Sequence, residues 1–337
     1  MPIKNPPFEI TQRMLADAAE ISETVGRLST GKLPSGPVLR RTNRIRTIQG
    51  TLAIEQNTLS VEQVTAVLNG RRVITPPKDI AEVLNAYRVY ETMDELDPYS
   101  IDSLLAAHGG MMHGLIEEAG LFRSGSVGVA DNKGNILHMG TLQRYVPEAT
   151  EKLLLWARDS ELPMVIKSCV FHYEFELIHP FADGNGRMGR LWHTVLLTAW
   201  NPLFAWLPVE SIIHDRQQEY YDVINASNMA GESTVFIEFM LSAIKSALLE
   251  ASGQGEKPLG KTALNALLRR KFVMDFLKSH DCIQNADVCA GLGVSSATAN
   301  RLLAEMCRDG MLAKIRKGKY WVYQPALTSQ TSRRTNL

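Results

Sequence analysis

Apolar positions along the chain recur mostly at helical spacing. After an irregular start, "TQRMLADAAEISETVGRL" predicts a first helix and "STGKLPSGP" a loop, since Gly, Pro and Ser interrupt regular structure. The pattern is helical again from Arg41 to about Leu68, where Asn69-Gly70 stops it. "DIAEVLNAYRVYETMDEL" places Ile80, Val83, Leu84, Tyr87, Val89 and Tyr90 at helical period, and "YSIDSLLAAHGGMMHGLI" reads as the next helix. In "RSGSVGVADNKGNILHM" the period drops to two around a polar turn, which predicts a β-hairpin. Helices resume with "PEATEKLLLWARDS" and then "MVIKSCVFHYEFELI", with Pro163 in the first turn of the latter. "RLWHTVLLTAW", "VESIIHDRQQEYYDVINASN" and "TVFIEFMLSAIKSALLE" each predict one more. "ASGQGEKPLG" (251–260) has linker composition, and beyond it the pattern reads helix, short helix, longer helix, β-hairpin.

The expected fold class is therefore mainly α, with one β-hairpin in the main body. The expected organisation is an N-terminal helical region (1–100), a helical core (101–250), a linker, a small domain (261–325) and a disordered tail (326–337).

Charge sharpens the picture only locally. Lys+Arg and Asp+Glu are 36 each over the chain, so net charge selects no partner. Residues 261–321 hold 11 Lys+Arg against 5 Asp+Glu, a net +6, balanced by acidic residues elsewhere. Cys169, Cys282, Cys289 and Cys307 form no CxxC and no zinc spacing with histidine, so reduced thiols are expected. "MPIKNPPFEI" lacks a secretory apolar region and no apolar run reaches membrane-spanning length. The expectation is a cytoplasmic protein with no membrane partner.

One segment concentrates chemistry: "HPFADGNGRMGR", His179 to Arg190. Gly184 and Gly186 flank Asn185 and allow successive N–H groups to point into one concavity. The next helix starts there and adds the positive end of its dipole. Arg187 and Arg190, three apart, project from one face of its first turn. This arrangement suits a polyphosphate. Asp183 offers a hard oxygen ligand of the kind Mg²⁺ on phosphates takes, and His179 is placed to deprotonate an attacking hydroxyl. A surface turn whose arginines pair with acids is the alternative; the coincidence of base, carboxylate, turn and arginines outweighs it.

The segment matches the Fic family signature HPFx[DE]GNGRxxR at every specified position. "GLFRSGSVGV" (120–129) resembles the family's GxxR segment leading into a hairpin flap, and "YYDVINASN" (220–228) its nucleotide-contacting helix. The resemblance spans roughly residues 40–250. It implies a Fic-fold helical core and transfer of AMP from ATP to a hydroxyl side chain (Ser, Thr or Tyr) of a target protein. By resemblance, His179 is the general base and Asp183 the Mg²⁺ ligand. The Gly184-Asn185-Gly186 turn holds the α-phosphate, and Arg187 and Arg190 the β- and γ-phosphates. Tyr220, Tyr221 and Asn228 would contact the nucleoside, with core packing or helix capping as their alternative role. The flap around Val127–Val129 and His138–Leu142 would hold the target by strand addition.

"TLAIEQN" (51–57) places Thr51 and Glu55 four apart, on one face of the expected helix 41–68. Alone, Glu55 reads as a solvated helix residue. It also resembles the family's inhibitory helix [ST]xxxE[GN], with Gln56 where Gly is usual. The resemblance implies that Glu55 pairs with Arg190 and takes the γ-phosphate site. Family helices near this position often lie at interfaces, so a homodimer is among the expectations.

Other features read as structural. "GRLSTGKL" (26–33) nearly spells a P-loop, but Leu33 replaces the Mg²⁺-binding Ser/Thr and no strand precedes it. His108 and His113 have the wrong spacing for a metal face, and His172 and His193 sit on apolar helices. In the basic C-terminal region, "GVSSATANRLLAEM" resembles the recognition helix of a winged helix-turn-helix and "IRKGKYWVY" its wing. Ser296, Thr298, Asn300 and Arg301 would face a major groove, and Arg316, Lys317 and Lys319 phosphates, giving a DNA contact over residues 295–319. Protein docking is the alternative use of that fold. The function classes left open are an autoinhibited adenylyltransferase, a DNA-binding regulator with the Fic core as nucleotide sensor, and a de-AMPylase or other phosphate-linked group transferase.

Overall fold

The computed structural model describes residues 6–30, 37–130, 136–252, 269–270, 272–274, 276–278, 280–292, 294–317 and 320–326. The chain divides into two compact units, Met1–Gly255 and Glu256–Leu337. The first is mainly α, as its apolar periodicity requires. Its helices are α1 (Gln12–Thr30), α2 (Pro37–Ile54), α3 (Val61–Leu68), α4 (Pro77–Glu91), α5 (Ile101–Met111), α6 (Val146–Asp159), α7 (Met164–Ile178), α8 (Asn185–Trp200), α9 (Val209–Asp215), α10 (Gln217–Ala230) and α11 (Thr234–Ser252). No compact-unit boundary falls near residue 100, so the N-terminal helices and the expected core share one body. The expected linker begins inside α11, and its residues 253–260 lie outside the described residues, as do the tail from 327 and residues 31–33 of the near P-loop.

α7 runs through the middle of this unit. From Val165 to Tyr173 every residue is buried, and Phe171, Phe175, Trp192, Leu196, Phe236 and Met240 form the core around it. A helix apolar on all sides is one wrapped by others, and here α6, α8 and α11 all pack on α7. Pro163 is the N-cap residue of α7, one position before the expected first turn.

Two long helical readings are broken in the structure. The stretch 41–68 splits after Ile54, where Gln56 takes a left-handed conformation (φ 68°). The Asn57 N–H bonds Leu52 O (3.0 Å) and the Gln56 N–H bonds Ala53 O (3.0 Å), which is the Schellman ending of α2. α3 then restarts from Ser60, whose side chain accepts from the Gln63 N–H while Gln63 returns a bond to the Ser60 N–H. Glu55 is therefore the C-cap residue of α2 and not a mid-helix residue. The stretch 209–228 splits at Arg216 into α9 and α10.

The expected hairpin is present as β1 (Gly128–Ala130) antiparallel to β2 (Ile136–Met139), with Gly128 opposite Met139. Its turn, 131–135, lies outside the described residues.

In the second unit, α12 (Asn285–Leu292) and α13 (Ser296–Arg308) precede β3 (Leu312–Lys317) and β4 (Tyr320–Pro325), an antiparallel pair. Ser295 caps α13 by accepting from the Thr298 N–H. Ala299, Leu302, Leu303 and Met306, at helical spacing, form a small core with Val273, Ile283, Val288, Leu312 and Tyr323. All four cysteines are free thiols. Among the described residues no helix is long and apolar enough to cross a membrane.

Candidate active site

α7 ends at His179, which takes a left-handed conformation (φ 52°, ψ 63°) and closes the helix with its N–H on Phe175 O, 3.0 Å away. Left-handed backbone costs a β-carbon residue roughly 1–3 kcal/mol and persists only where its surroundings enforce it. Arg123 is the enforcing group. Its Nε donates to His179 O (2.7 Å), one terminal nitrogen to Gly125 O (2.7 Å), and the other to Thr141 O and to Ile178 O. One buried guanidinium thus ties the His179 loop to both arms of the hairpin. The Arg123 N–H to Pro180 O and Thr141 N–H to Ile178 O bonds reinforce the join. His179 Nδ1 lies 3.2 Å from Glu176 O, so Nδ1 carries the proton and the basic lone pair is on Nε2.

The loop after His179 is held from inside. Asn185 is buried, with its Oδ1 accepting from the Phe181 N–H (2.9 Å) and its Nδ2 donating to Phe181 O (2.8 Å). Its side chain is spent on the turn; backbone N–H groups are what the turn presents. Phe181 stacks on His108 at 3.6 Å between ring centroids. His108 Nδ1 accepts from the Gly120 N–H (3.0 Å), so its Nε2–H donates to Asp183 O (3.1 Å). Burial pushes the His108 pKa down to about 4, which keeps the ring neutral and this tautomer fixed. Gly184 (φ 85°) caps α8; a β-carbon there would also strike Met112 Sδ at 2.7 Å.

Both arginines of the motif already have carboxylate partners. Arg190 is buried; its Nε donates to Thr51 Oγ1 (3.0 Å), and a terminal nitrogen to Thr51 O (3.1 Å) and to Glu55 Oε1 (2.7 Å). Glu55 Oε1 is also the nearest atom to the open face of Gly186, so this carboxylate sits over the N-terminus of α8. Burial opposes the Arg190 charge, yet Glu55, Tyr220 and Glu176 together hold its pKa raised. Arg187 donates to Glu82 Oε1 (3.3 Å) and to Asp183 Oδ1 (3.2 Å). Glu82 Oε2 accepts from Asn57 Nδ2 (2.8 Å). The segment 51–57 therefore reaches both arginines, Arg190 directly and Arg187 through Glu82.

Two of the residues expected at the nucleoside have partners within the protein. Tyr220 is 2% exposed, with its hydroxyl 3.1 Å from His172 Nε2 and its ring against Phe236 and Phe239. Here it packs in the core of the unit. Tyr221 is at the surface, but its hydroxyl donates to Ile54 O (3.1 Å), the carbonyl that Gln217 Nε2 also bonds (3.0 Å). α10 thus caps the end of α2 beside Glu55. Asn228 Oδ1 accepts from Tyr173 Oη (2.9 Å), which orients its amide.

Asp183 is half exposed on its side chain, and Gly184 N–H and Arg187 both bond its Oδ1. No group of three or more His, Cys, Asp or Glu able to hold a metal occurs among the described residues. A single accessible carboxylate fits a Mg²⁺ that takes its other ligands from phosphate oxygens and water.

Glu82, Asn57, His108 and Gln217 escaped the sequence reading. The signal for Glu82 was a lone acid at an inward position of α4, next to buried Val83, Asn85 and Ala86. His108 carried none, because its partner Asp183 is distant in sequence.

Comparison with known proteins agrees with the geometry. Residues 98–197 match the model of the Fic/DOC family. The chain is 30% identical over 208 residues to protein adenylyltransferase fic-1 of Caenorhabditis elegans, covering 56% of this chain and 37% of that protein. It is 27% identical over 252 residues to protein adenylyltransferase Fic of Nematostella vectensis, covering 69% and 54%. The chain thus spans about half the length, or less, of these curated relatives. The crystal structure of a Fic family protein from Desulfovibrio desulfuricans G20 is 40% identical, with a TM-score of 0.72, over 97% of this chain and 100% of that one. With that relative matched end to end and the signature loop built as described, the chain belongs to the Fic/DOC family.

Proposed function

We propose that the chain is a protein adenylyltransferase that moves AMP from ATP to a Ser, Thr or Tyr hydroxyl of a target protein, and that Glu55 inhibits it in the resting state. The observation that carries this reading is the Glu55 carboxylate on Arg190 and over Gly186. An anion site at a helix N-terminus, next to a positioned histidine, holds an internal carboxylate where a phosphate would otherwise sit. Displacing Glu55 leaves Arg190 and the α8 dipole for the polyphosphate, and Arg187 joins them by exchanging a carboxylate for a phosphate. Asp183 would hold Mg²⁺, which supplies charge neutralisation on the phosphates when bound.

His179 Nε2 takes the proton of the target hydroxyl. The freed oxygen electron pair forms the bond to the α-phosphorus. The bond from that phosphorus to its bridging oxygen breaks, and its electrons leave on pyrophosphate, whose growing charge the arginines meet. Arg123 keeps base and flap in register, so a strand added to β2 arrives beside His179. Four free thiols suit the reducing cytoplasm as the site of action.

The test is labelling with α-³²P-ATP. Glu55→Gly should raise automodification at least tenfold over wild type, and His179→Ala in that background should abolish it. Equal labelling of wild type and Glu55→Gly sinks the inhibitory role. No label in any variant favours the nucleotide-sensor reading.

Exposed polar and basic groups of the second unit support the reading of a DNA contact over residues 295–319, of which 318–319, with Lys319, lie outside the described residues. α13 leaves Ser296, Asn300 and Arg301 exposed, and on the hairpin Lys314 lies over the exposed Trp321 (4.9 Å). Titration of duplex DNA at two salt concentrations checks this: phosphate contacts make the affinity fall steeply with salt. Salt-independent or absent binding favours protein docking.

A further inference from the structure

Glu176 is a half-buried acid that the reaction just described leaves unused. It stands on the last turn of α7, three residues before His179, with its side chain 16% exposed. Its Oε2 lies 3.9 Å from His179 Nδ1, on the edge of the ring opposite the basic nitrogen. Its Oε1 is buried and has no hydrogen-bond partner, although buried carboxylate oxygens almost always have one. The room it occupies is made by Gly189 of α8: a β-carbon there would lie 2.8 Å from Glu176 Oε1.

We propose that Glu176 is a positioning residue for the transfer reaction, whose carboxylate faces the Nδ1 edge of His179 and stabilises the imidazolium formed when Nε2 takes the target's proton. This rests on the reading of His179 as the base. The proton balance is simple. The hydroxyl hydrogen moves to Nε2, Nδ1 keeps its own, and the resulting positive ring lies beside a negative carboxylate. The ring gains its positive charge as Nε2 takes the proton.

The other charged and titratable groups around Glu176 come from each packed element. α7 contributes His172, whose Nε2 is 3.9 Å from Oε1 and 3.1 Å from the Tyr220 hydroxyl. Burial and the charge of Arg190 hold His172 neutral, so it gives Glu176 no cation. α8 contributes Arg190, which favours the carboxylate, and the end of α2 contributes Glu55, which opposes it. α10 contributes Tyr220 and Tyr221, both with their hydroxyl pKa raised by burial. Burial is the largest influence and pushes the Glu176 pKa up to about 7.

The test uses the intact chain in the Glu55→Gly background, with α-labelled ATP as substrate. Glu176→Gln keeps the shape and removes the charge. We expect automodification at neutral pH to fall about tenfold and the acid limb of the rate profile to move down by about one pH unit. The His179 imidazole pKa, read by NMR, should fall by a similar amount, and Glu176→Asp should restore part of it. An unchanged His179 titration in a folded Glu176→Gln protein overturns the proposal, even if activity falls, because that pattern marks packing alone. The titration needs no turnover. If Glu55→Gly itself labels nothing, the transfer reading fails while the NMR result still decides the coupling.

Discussion

The C-cap of α2 turns on a single side chain. Gln56 is left-handed at φ 68°, in the position of the Schellman ending that glycine fills most easily. The sequence comparison registers Gln56 only as a departure from the usual Gly, because a backbone angle is not written in side-chain pattern. The structure turns the departure into an energy: a β-carbon here costs of order 1 kcal/mol, partly offset by the chain freedom that glycine would add to the unfolded state. Gln56→Gly should therefore stabilise the first unit by about 0.5–1 kcal/mol. A thermal melt should show a rise of about 1–4 °C; an unchanged or lower midpoint would mean the surroundings no longer strain this residue. The same limit hid His108 and Glu82. Each is an ordinary helix residue in sequence, and only the approach of α5 and α4 to the signature loop gives it a role. His179, Asp183, Arg187 and Arg190 were legible because they share one loop and one helical turn, and local spacing is what a sequence displays.

Among elements, helix centres were read well and helix breaks poorly. α7 follows its apolar run from Met164 to Ile178, whereas the break between α2 and α3 was read through. Its signal was present, since Ser60 and Gln63 spell a capping box, but the apolar period continues across it and outvoted the cap. In the proposed inhibition, the break is the part that matters. It frees residues 55–57 to leave the helix axis and reach α4 and α8. Asn57 bonds Glu82, which bonds Arg187, so the loop is tied down at a point separate from Glu55. Asn57→Ala should loosen that tie without touching either arginine. Automodification should rise several-fold, less than for Glu55→Gly, and the double variant should match Glu55→Gly alone. Additive gains in the double variant would show that Asn57 acts outside the inhibitory contact.

At the scale of the whole molecule, buried titratable groups set how stability follows pH. Burial pushes His193 down to about 4, so the folded protein keeps it neutral while the unfolded chain protonates it below about 6.5. The unfolded state thus binds more protons across this window, and stability rises with pH from about 4 to 6.5. Glu174 and Glu176, pushed up to about 7 by burial, act with the opposite sign and lower stability as pH rises from about 4.5 to 7. His193→Gln should remove one proton from the acid slope, about 1.4 kcal/mol per pH unit between pH 4 and 6.5. Urea midpoints across pH read this directly, and parallel curves for variant and wild type would contradict it. The helical class and the hairpin were legible from periodicity; how α2 meets α9 was not, and it has its own consequence. A β-carbon at Gly50 would lie 2.8 Å from the backbone of Glu210 and Ser211. Backbone thus meets backbone at that point of the seam, and the close approach anchors α2 there. In the proposed inhibition, release of Glu55 is then a short throw of the few residues past Ile54, small enough to be tripped by a ligand and reset without disturbing the core.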